Sequence, residues 1–342
     1  MDMKKIFKIA GKLLLGFLIL LILLSLTLFL ITRGDYSVPY TVEKDTTIPH
    51  IEIDNVIFHA ETFGNDTNKT VIVIHGGPGN DYRYLLPLKE LSKKYFVVFY
   101  DQRGTGLSPR VDAGEHSLDN SLKDLGNIIN YYAPNDKVNI IGHSWGAMLA
   151  TGYIAQYPER VSKAIIAEPG MLTSEKGKEY MQKFKIDFGW NVLKSMTLIV
   201  FESLHLKNTD KQSRIDYIFG KIGTLDVKGN PMRKYFCNKD ITNGYLPFWR
   251  LSGVASQSII KKAMDENGNI QIDLVSGLEN YTNKVLFIVG ECNQIIGEEF
   301  QQGHIKYFPN AKMIVVKDAG HTMFGEKPEE CIEIIEKYFD TE

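Results

Sequence analysis

A serine between two glycines lies in the stretch of this sequence that is best suited to covalent chemistry. The sequence GHSWG at 142–146 follows an apolar run at 138–141 and leads into a second apolar pattern at 147–150. A G-x-S-x-G sequence between a strand and a helix is typical of a nucleophile elbow, a sharp turn that exposes the serine side chain. Glycines two residues before and after the serine remove side chains that would collide across the turn. The pattern predicts Ser144 as a nucleophile.

A histidine near the C-terminus is placed to serve that serine as a general base. His321 follows a predicted strand at 312–316 and Gly320, and hydrolases with this elbow carry their residues in the order serine, acid, histidine. His143 is closer in sequence, but it adjoins Ser144 on the turn, so its side chain is expected to point elsewhere. We predict His321 as the base, because four other histidines lack its placement: His75, His116, His205 and His304.

A glycine-rich loop follows the first buried strand of the chain. The apolar run KTVIVI at 69–74 leads into HGGPG at 75–79. In folds with this elbow, the loop after the third strand supplies one backbone N–H to an oxyanion hole, and the residue after the nucleophile supplies the other. We therefore expect Gly77 and Trp145 to be the two backbone donors. The alternative is a plain turn from strand to loop.

The overall composition excludes several classes of function. The 342 residues include 39 basic and 41 acidic side chains, a net charge of −2, so no basic field indicates nucleic acid as a partner. The three cysteines are far apart and match no metal-binding spacing, and their odd number argues against a disulfide framework. We expect no metal or organic cofactor. The sequence predicts no oligomeric state.

An apolar segment near the N-terminus is long enough to cross a bilayer. Leu13 to Thr32 carry no charge, and as a helix these 20 residues would span ~30 Å, about one hydrocarbon core. Several lysines precede the segment and only Arg33 closely follows it, so the positive-inside rule places the N-terminus in the cytoplasm. A cleaved signal peptide is the alternative. Its apolar region is usually about 7–15 residues, and no small-residue cleavage site follows here. We predict a single-pass anchor in the cell membrane with the rest of the chain outside the cytoplasm.

The remaining sequence alternates between strand and helix patterns. This predicts an α/β fold with a mostly parallel sheet flanked by helices, an edge hairpin at 50–63 and a helix at 84–93. Between 171 and 281 the buried strand patterns stop, and lysine-rich helical segments with aromatic residues indicate an inserted helical cap. We predict five segments: an anchor at 1–33, a linker at 34–49, a first core part at 50–170, the cap at 171–281 and a second core part at 282–342.

Four motifs in order resemble the proline iminopeptidase branch of the α/β-hydrolases: HGGPG at 75–79, DQRGTGLS at 101–108, GHSWG at 142–146 and GHTMFGEKPEE from Gly320. The resemblance covers residues from about 50 to 342. It implies that Ser144 attacks, that His321 is general base and then acid, and that Gly77 and Trp145 bind the oxyanion. It also implies that carboxylates of the cap receive the amino terminus of the substrate, for which the candidates are Glu175, Glu179 and Glu202.

The sequence departs from this family at the catalytic acid. The family pattern has aspartate three residues after a glycine that follows the seventh strand, and here that position is Asn293, after Gly290. An Asp-to-Asn change in a serine triad lowers kcat by roughly 10⁴. Glu291 lies two residues early on the same loop. Glu168 ends the sixth strand, where some α/β-hydrolases, including haloalkane dehalogenases, carry their acid. We favour Glu168, with Glu291 and Asn293 as the alternatives.

The sequence thus predicts a membrane-anchored serine hydrolase that acts on a small molecule or a short peptide. The resemblance favours an aminopeptidase that releases N-terminal residues such as proline. A carboxylesterase or lipase acting on small or membrane-proximal esters is the alternative within enzymes. A binding protein that keeps the fold without catalysis is a further alternative, and Asn293 is its evidence.

Overall fold

A computed structural model describes residues 3–207 and 209–341 of the chain. The first two residues of the predicted anchor and the last residue of the second core part therefore lie outside the described residues.

An eight-stranded sheet forms the centre of the molecule, in the order β1-β2-β4-β3-β5-β6-β7-β8. β1 and β2 form an antiparallel hairpin at one edge, β2 also pairs antiparallel with β4, and all other neighbours are parallel. The predicted edge hairpin and the mostly parallel sheet are confirmed. The strands are β1 (His50–Ile53), β2 (Val56–Phe63), β3 (Thr70–Ile74), β4 (Phe96–Tyr100), β5 (Val138–His143), β6 (Val161–Ala167), β7 (Val285–Gly290) and β8 (Ala311–Val316).

Helices cover both faces of the sheet. α2 begins after Ser117, whose side chain accepts a hydrogen bond from the N–H of Asn120, a common N-terminal cap. The helices are α1 (Met3–Ile31), α2 (Leu118–Tyr132), α3 (Trp145–Gln156), α4 (Ser174–Lys183), α5 (Trp190–Ser203), α6 (Ser213–Gly223), α7 (Gly253–Lys262), α8 (Glu298–Ile305), α9 (Met323–Glu326) and α10 (Pro328–Asp340).

The central strands are buried on both faces because their side chains alternate between two hydrophobic clusters. In β3, Ile72 and Ile74 lie in the cluster under α2 and α3, whereas Val71 and Val73 lie in the cluster under α10. Full burial of such an aliphatic side chain contributes about 1.5–3 kcal/mol. The sequences of these strands are therefore continuous apolar runs. Because β3, β5, β6 and β7 are parallel neighbours, their carboxyl ends lie side by side at one edge of the sheet.

The segment predicted as a helix at 84–93 forms a different type of helical turn in the structure. Arg83–Lys93 forms 3₁₀ turns, with Pro87 inside the segment. Proline has no N–H and its ring collides with the preceding turn, so a regular α-helix cannot run through this position. Tyr84, Leu85 and Leu88 are nevertheless buried, and they pack on the sheet as an amphipathic helix would.

The chain between β6 and β7 forms the helices α4 to α7 and several 3₁₀ turns. Its last part is not separate from the sheet, because Ile259, Ile272 and Leu278 belong to the same buried cluster as β3 and β5. The division of the chain into core and cap stays a prediction.

One disulfide joins this segment to the loop after β7. Cys237 and Cys292 are bonded, with Cα atoms 4.8 Å apart, although 55 positions separate them in sequence. The expectation that cysteine count and spacing argue against a disulfide is therefore wrong for this pair, because the fold brings two distant loops together. Cys331 is a buried free thiol.

α1 is the one helix among residues 3–207 and 209–341 that is long and apolar enough to cross a membrane. Its most apolar window has a mean hydropathy of 3.1, and none of that window is buried in the protein. Membrane spans and signal sequences share this length and composition.

Candidate active site

Ser144 lies on a strained turn between β5 and α3. Its φ and ψ are 56° and −117°, values that non-glycine residues rarely adopt outside functional turns. A Cβ at Gly142 would lie 2.5 Å from the carbonyl oxygen of Gly146, and a Cβ at Gly146 would collide with the carbonyl oxygen of Ile74. The flanking glycines are therefore required by the close approach of α3 to β5 and to the end of β3. The turn presents the Ser144 side chain beyond the carboxyl end of the sheet, beside Gly76.

Glu168 directly follows β6, the neighbouring strand, and is fully buried. One carboxylate oxygen accepts a hydrogen bond from the N–H of Gly290 at 2.9 Å. The other accepts from the side-chain amide of Asn293 at 2.7 Å and lies 2.5 Å from Nδ1 of His321. Burial raises the pKa of Glu168 well above its usual value, while the two donors favour the ionised form.

His321 is held in place through its own backbone and through the turn that follows it. Its N–H donates to the carbonyl oxygen of Tyr235 at 2.8 Å. The carboxylate of Glu326 accepts from the N–H of Gly320 at 2.8 Å and from the Thr322 hydroxyl at 2.7 Å. The backbone that carries the ring is thus held on both sides of His321.

The contact between Glu168 and His321 sets the tautomer of the histidine. A carboxylate opposite Nδ1 requires the proton on that nitrogen, which leaves the lone pair on Nε2. Burial lowers the pKa of His321 to about 3, so the ring is neutral near pH 7. A neutral imidazole with a free Nε2 can accept a proton.

Asn293, the residue that the resemblance aligns with an aspartate, contacts Glu168 directly. Its side-chain oxygen accepts from the N–H groups of Ile295 and Ile296 at 3.0 and 3.1 Å, which turns its NH₂ group toward Glu168. Glu291, the other alternative, points away from His321. It pairs with Lys317 at 2.6 Å on the surface.

The two predicted backbone donors lie in different parts of the fold, Trp145 at the start of α3 and Gly77 in the loop after β3. Trp145 is the first residue of α3, and the first N–H groups of a helix have no partner within the helix. Gly77 has a φ of 129°, and a Cβ there would lie 2.5 Å from the N–H nitrogen of Gly79. Gln102 joins the two sides: its side chain accepts from the indole of Trp145 at 2.9 Å and donates to the carbonyl of His75 at 2.9 Å.

A hydrogen-bonded chain that the sequence did not reveal links the glycine loop to the base. The N–H of Gly76 donates to the Tyr84 hydroxyl at 2.8 Å, and that hydroxyl lies 2.6 Å from Nδ1 of His143. Nε2 of His143 lies 2.7 Å from the carbonyl oxygen of His321, so Nε2 carries the proton and Nδ1 accepts from the tyrosine. His143 thus connects the loop of Gly76 with the backbone of His321.

Replacing Tyr84 by phenylalanine should lower activity without removing any group that touches substrate. The change leaves the Gly76 N–H and Nδ1 of His143 unpaired in a buried site, at a cost of about 1–3 kcal/mol in folding free energy. Because the glycine loop can then shift, we expect kcat to fall roughly 10- to 100-fold with a smaller change in KM. Steady-state kinetics would check this. Tyr95→Phe removes a hydroxyl that bonds Asp340 far from the site and should leave kcat unchanged.

His143, Glu168 and His321 place candidate metal-ligand atoms within 4.8 Å of one another. Both nitrogens of His143 are already hydrogen-bonded, and the proton of His321 faces Glu168. The contacts are those of a hydrogen-bonded network.

Two other histidines near the site serve packing. His75 is buried and its Nε2 accepts from the N–H of Gln102 at 3.0 Å. His304 of α8 lies 3.2 Å from the carbonyl of Gly170 and, with Gln301, holds the turn after Glu168. Burial lowers the pKa of His304 to about 4 and also lowers that of His75.

These buried neutral histidines predict a loss of stability in mild acid. Below pH 6.5 His75 and His304 bind protons in the unfolded chain but not in the folded chain, so their contribution to the free energy of unfolding should fall as pH decreases from 6.5 toward 4. Urea unfolding at several pH values would measure the slope. His304→Gln keeps an N–H donor toward Gly170 but does not titrate, so its slope should be smaller. An equal slope would show that His304 is not protonated on unfolding.

The three candidate carboxylates for a substrate amino group are differently placed. Glu175 is exposed on α4. Glu179 pairs with Lys176 and Lys183 at 2.6 and 3.0 Å. Glu202 accepts from the hydroxyl of Tyr217 at 2.9 Å. None of these contacts brings the three together beside Ser144.

Aromatic residues of the segment between β6 and β7 lie next to the base. The ring of Tyr235 is 4.6 Å from that of His321, and its hydroxyl is 3.2 Å from the hydroxyl of Tyr180. Phe184 stacks on Tyr180 at 5.4 Å. Cys237, two residues from Tyr235, is bonded to Cys292 in the loop after β7.

Comparison with known proteins extends these observations. A family model described as the alpha/beta hydrolase fold matches residues 69–194. The proline iminopeptidase of Saccharolobus solfataricus is 24% identical over 280 residues, covering 80% of this chain and 86% of that protein. The proline iminopeptidase of Heyndrickxia coagulans is 27% identical over 288 residues, covering 81% and 92%. Among solved structures, the proline iminopeptidase of Mycobacterium smegmatis superimposes with a TM-score of 0.56 at 15% identity, covering 85% of this chain and 96% of that one.

Proposed function

We propose that this chain, an α/β-hydrolase of the proline iminopeptidase-like branch, is a serine hydrolase with Ser144 as its nucleophile. The observation that carries the proposal is the 2.5 Å contact between Glu168 and His321 beside the strained turn of Ser144. A buried carboxylate that fixes the tautomer of a histidine is what a serine needs to lose its proton at neutral pH.

The chemistry follows from the positions of these groups. As the Ser144 oxygen attacks the substrate carbonyl carbon, its proton passes to Nε2 of His321, and Glu168 stabilises the resulting imidazolium. The N–H groups of Gly77 and Trp145 stabilise the oxyanion. His321 returns the proton to the leaving group, which departs and leaves an acyl-enzyme. A water molecule then loses a proton to His321 and attacks the acyl carbon. As the bond from that carbon to the Ser144 oxygen breaks, His321 returns the proton to this oxygen, which releases the acid and restores the free serine.

For the substrate, we propose a peptide with an N-terminal residue such as proline. The two proline iminopeptidases that match most of the chain support this choice. The reaction needs a carboxylate to bind the free amino group, and Glu175, Glu179 and Glu202 are the candidates. Glu175 is the one of the three whose carboxylate makes no ion pair or hydrogen bond to the described residues.

An ester of low polarity is the second candidate substrate. Glu179 is neutralised by two lysines and Glu202 is bonded to Tyr217, while Tyr180, Phe184 and Tyr235 form an aromatic wall beside His321. An aromatic wall favours an apolar acyl or alkyl group over a charged ammonium without a counter-ion.

We also propose that α1 anchors the protein in the cell membrane, with the N-terminus in the cytoplasm and the catalytic part outside. The excess of lysine before the span supports this orientation. The disulfide between Cys237 and Cys292 supports it independently, since disulfides persist in oxidising compartments and are rare in the cytosol.

A fluorophosphonate probe tests the nucleophile, and a pair of substrates tests the specificity. The probe should phosphonylate Ser144, located by mass spectrometry of the digested protein. Folded protein that takes no label would instead favour a binding protein without catalysis. Hydrolysis of a proline naphthylamide that exceeds hydrolysis of a short-chain nitrophenyl ester in kcat/KM would support the peptidase, and the reverse order would support the esterase.

A further inference from the structure

Helix α5 carries apolar side chains on an exposed side as well as on its buried side. Val192 and Ile199 face the protein. A second set of side chains, spaced three and four residues apart, is exposed on another side of the helix: Trp190, Leu193, Thr197, Val200 and Leu204. A surface helix normally turns its apolar side chains toward the protein and its polar side chains toward solvent. The exposed set, called here the α5 stripe, departs from this pattern, because four of its five side chains are large and apolar.

The exposed apolar surface continues beyond the first turn of α5. Trp190 is 78% exposed, and Ile186 and Phe188, in the segment before the helix, are 43% and 58% exposed. An apolar surface of this kind that is exposed to solvent marks an interaction site.

The α5 stripe lies beside the outer end of the predicted membrane span. α5 contacts α1, and the ring of His205, just beyond α5, lies 4.2 Å from the ring of Phe29. Nε2 of His205 also lies 2.8 Å from the carbonyl oxygen of Phe29. Lys207 donates its N–H to the carbonyl of Tyr36 and pairs with Asp35 at 2.9 Å. These contacts tie the C-terminal end of α5 to the last turn of α1.

The position of Phe29 fixes the depth of this end of α5. If Leu13 to Thr32 cross the hydrocarbon core, Phe29 lies one turn from its outer boundary. The end of α5 then lies in the layer where acyl chains meet head groups. Tryptophan prefers this layer, and lysine stems extend from it toward anionic head groups. Trp190 begins the stripe at the opposite, N-terminal end of the 14-residue helix, and Lys185 and Lys194 are exposed near it. Docking of the whole stripe therefore requires α5 to lie along the surface of the bilayer.

We propose that the α5 stripe docks on the outer leaflet of the bilayer that holds α1. The proposal rests on the membrane anchor of the proposed function. The outer leaflet would cover the exposed apolar side chains of the stripe. Docking would also hold the segment between β6 and β7 against the lipid surface. Phe184, which contacts the aromatic residues beside His321, leads directly into the exposed Ile186 and Phe188. Substrates that partition into the bilayer would therefore meet the docked segment before the active site.

Lipid quenching of tryptophan fluorescence tests the docking in the full chain. The protein is reconstituted in phosphatidylcholine vesicles with or without bromine on the acyl chains, and flotation with the vesicles establishes that it is anchored. The emission of Trp190 is taken as the difference between the unmodified protein and Trp190→Phe. We expect brominated acyl chains to quench most of this emission and aqueous iodide to quench little of it.

Two variants provide the matched comparison. Leu193→Glu with Val200→Glu places charges on the stripe and should abolish the lipid quenching and expose Trp190 to iodide. Tyr131→Glu changes a side chain of similar exposure on α2 and should leave the quenching intact.

The outcomes separate docking from anchoring and from catalysis. Protein that floats with vesicles while Trp190 is quenched by iodide and not by bromine would overturn the docking and leave the anchor in place. Shielding from both quenchers that grows with protein density would assign the stripe to a second copy of the chain, against the proposal. Failure to float would overturn anchor and docking together, whereas labelling of Ser144 by the fluorophosphonate depends on neither.

Discussion

Replacing Ser144 by alanine should lower kcat by roughly 10⁶-fold, because it removes only the hydroxyl, which forms the acyl-enzyme in the proposed mechanism. Alanine keeps a Cβ at a φ of 56°, so the strain of the turn and the packing of α3 against β5 stay as they are. The residual activity should exceed the uncatalysed rate, since Gly77 and Trp145 can still stabilise an oxyanion. Steady-state kinetics on the better of the two test substrates would measure the change.

Ser162→Ala is the matched control for that variant. Ser162 lies at the start of the neighbouring strand β6 and is half-buried, as Ser144 is. Its loss should leave kcat unchanged. A Ser144→Ala protein that folds, binds substrate and turns over at the unmodified rate would contradict the assignment of the nucleophile.

The sheet and the elbow could be predicted from the sequence because their signals are local. The strands at 70–74 and 138–143 are buried on both faces and so read as unbroken apolar runs. The glycines around Ser144 are required by contacts within five residues of one another and with the end of β3. A single sequence is enough to predict these features, because contacts between nearby residues determine which residue types can occur there.

The remaining features depend on contacts between distant parts of the chain. Pro87 marked the failure of the predicted helix locally, but the 3₁₀ turns that keep Tyr84 buried are decided by the sheet beneath them. Tyr84 and His143 are 59 positions apart, and Cys237 and Cys292 are 55 apart. No spacing rule connects such pairs. The alternation of strands and helices indicates that they lie at the same edge of the sheet, and packing decides which of them meet.

Replacing Glu168 by glutamine should lower kcat by roughly 10⁴-fold while the protein stays folded. The glutamine oxygen can still accept from the N–H of Gly290, so its NH₂ group then faces Nδ1 of His321. An NH₂ group there favours a lone pair on Nδ1 and the proton on Nε2, which is the tautomer that cannot accept the proton of Ser144. The loss should be in kcat, measured at saturating substrate, with KM little changed. Full activity in this variant would return the choice to Glu291 or Asn293.

Exchanging the acid and the amide should recover part of that loss. In Glu168→Gln with Asn293→Asp, the new carboxylate takes the place of an NH₂ group that lies 3.4 Å from Nδ1 of His321 and 2.7 Å from residue 168. The N–H groups of Ile295 and Ile296 already point at residue 293 and would stabilise its charge. We expect the double variant to exceed Glu168→Gln in kcat by roughly 10²-fold, about half of the loss on a logarithmic scale.

The single variant Asn293→Asp instead brings two buried carboxylates together, so they should share a proton. Its activity should be low at neutral pH and should increase only as pH rises. A double variant no more active than Glu168→Gln would mean that only the end of β6 can hold the acid. Recovery would mean that this site keeps the geometry for a carboxylate at either strand and that Asn293 now serves to orient the one at Glu168.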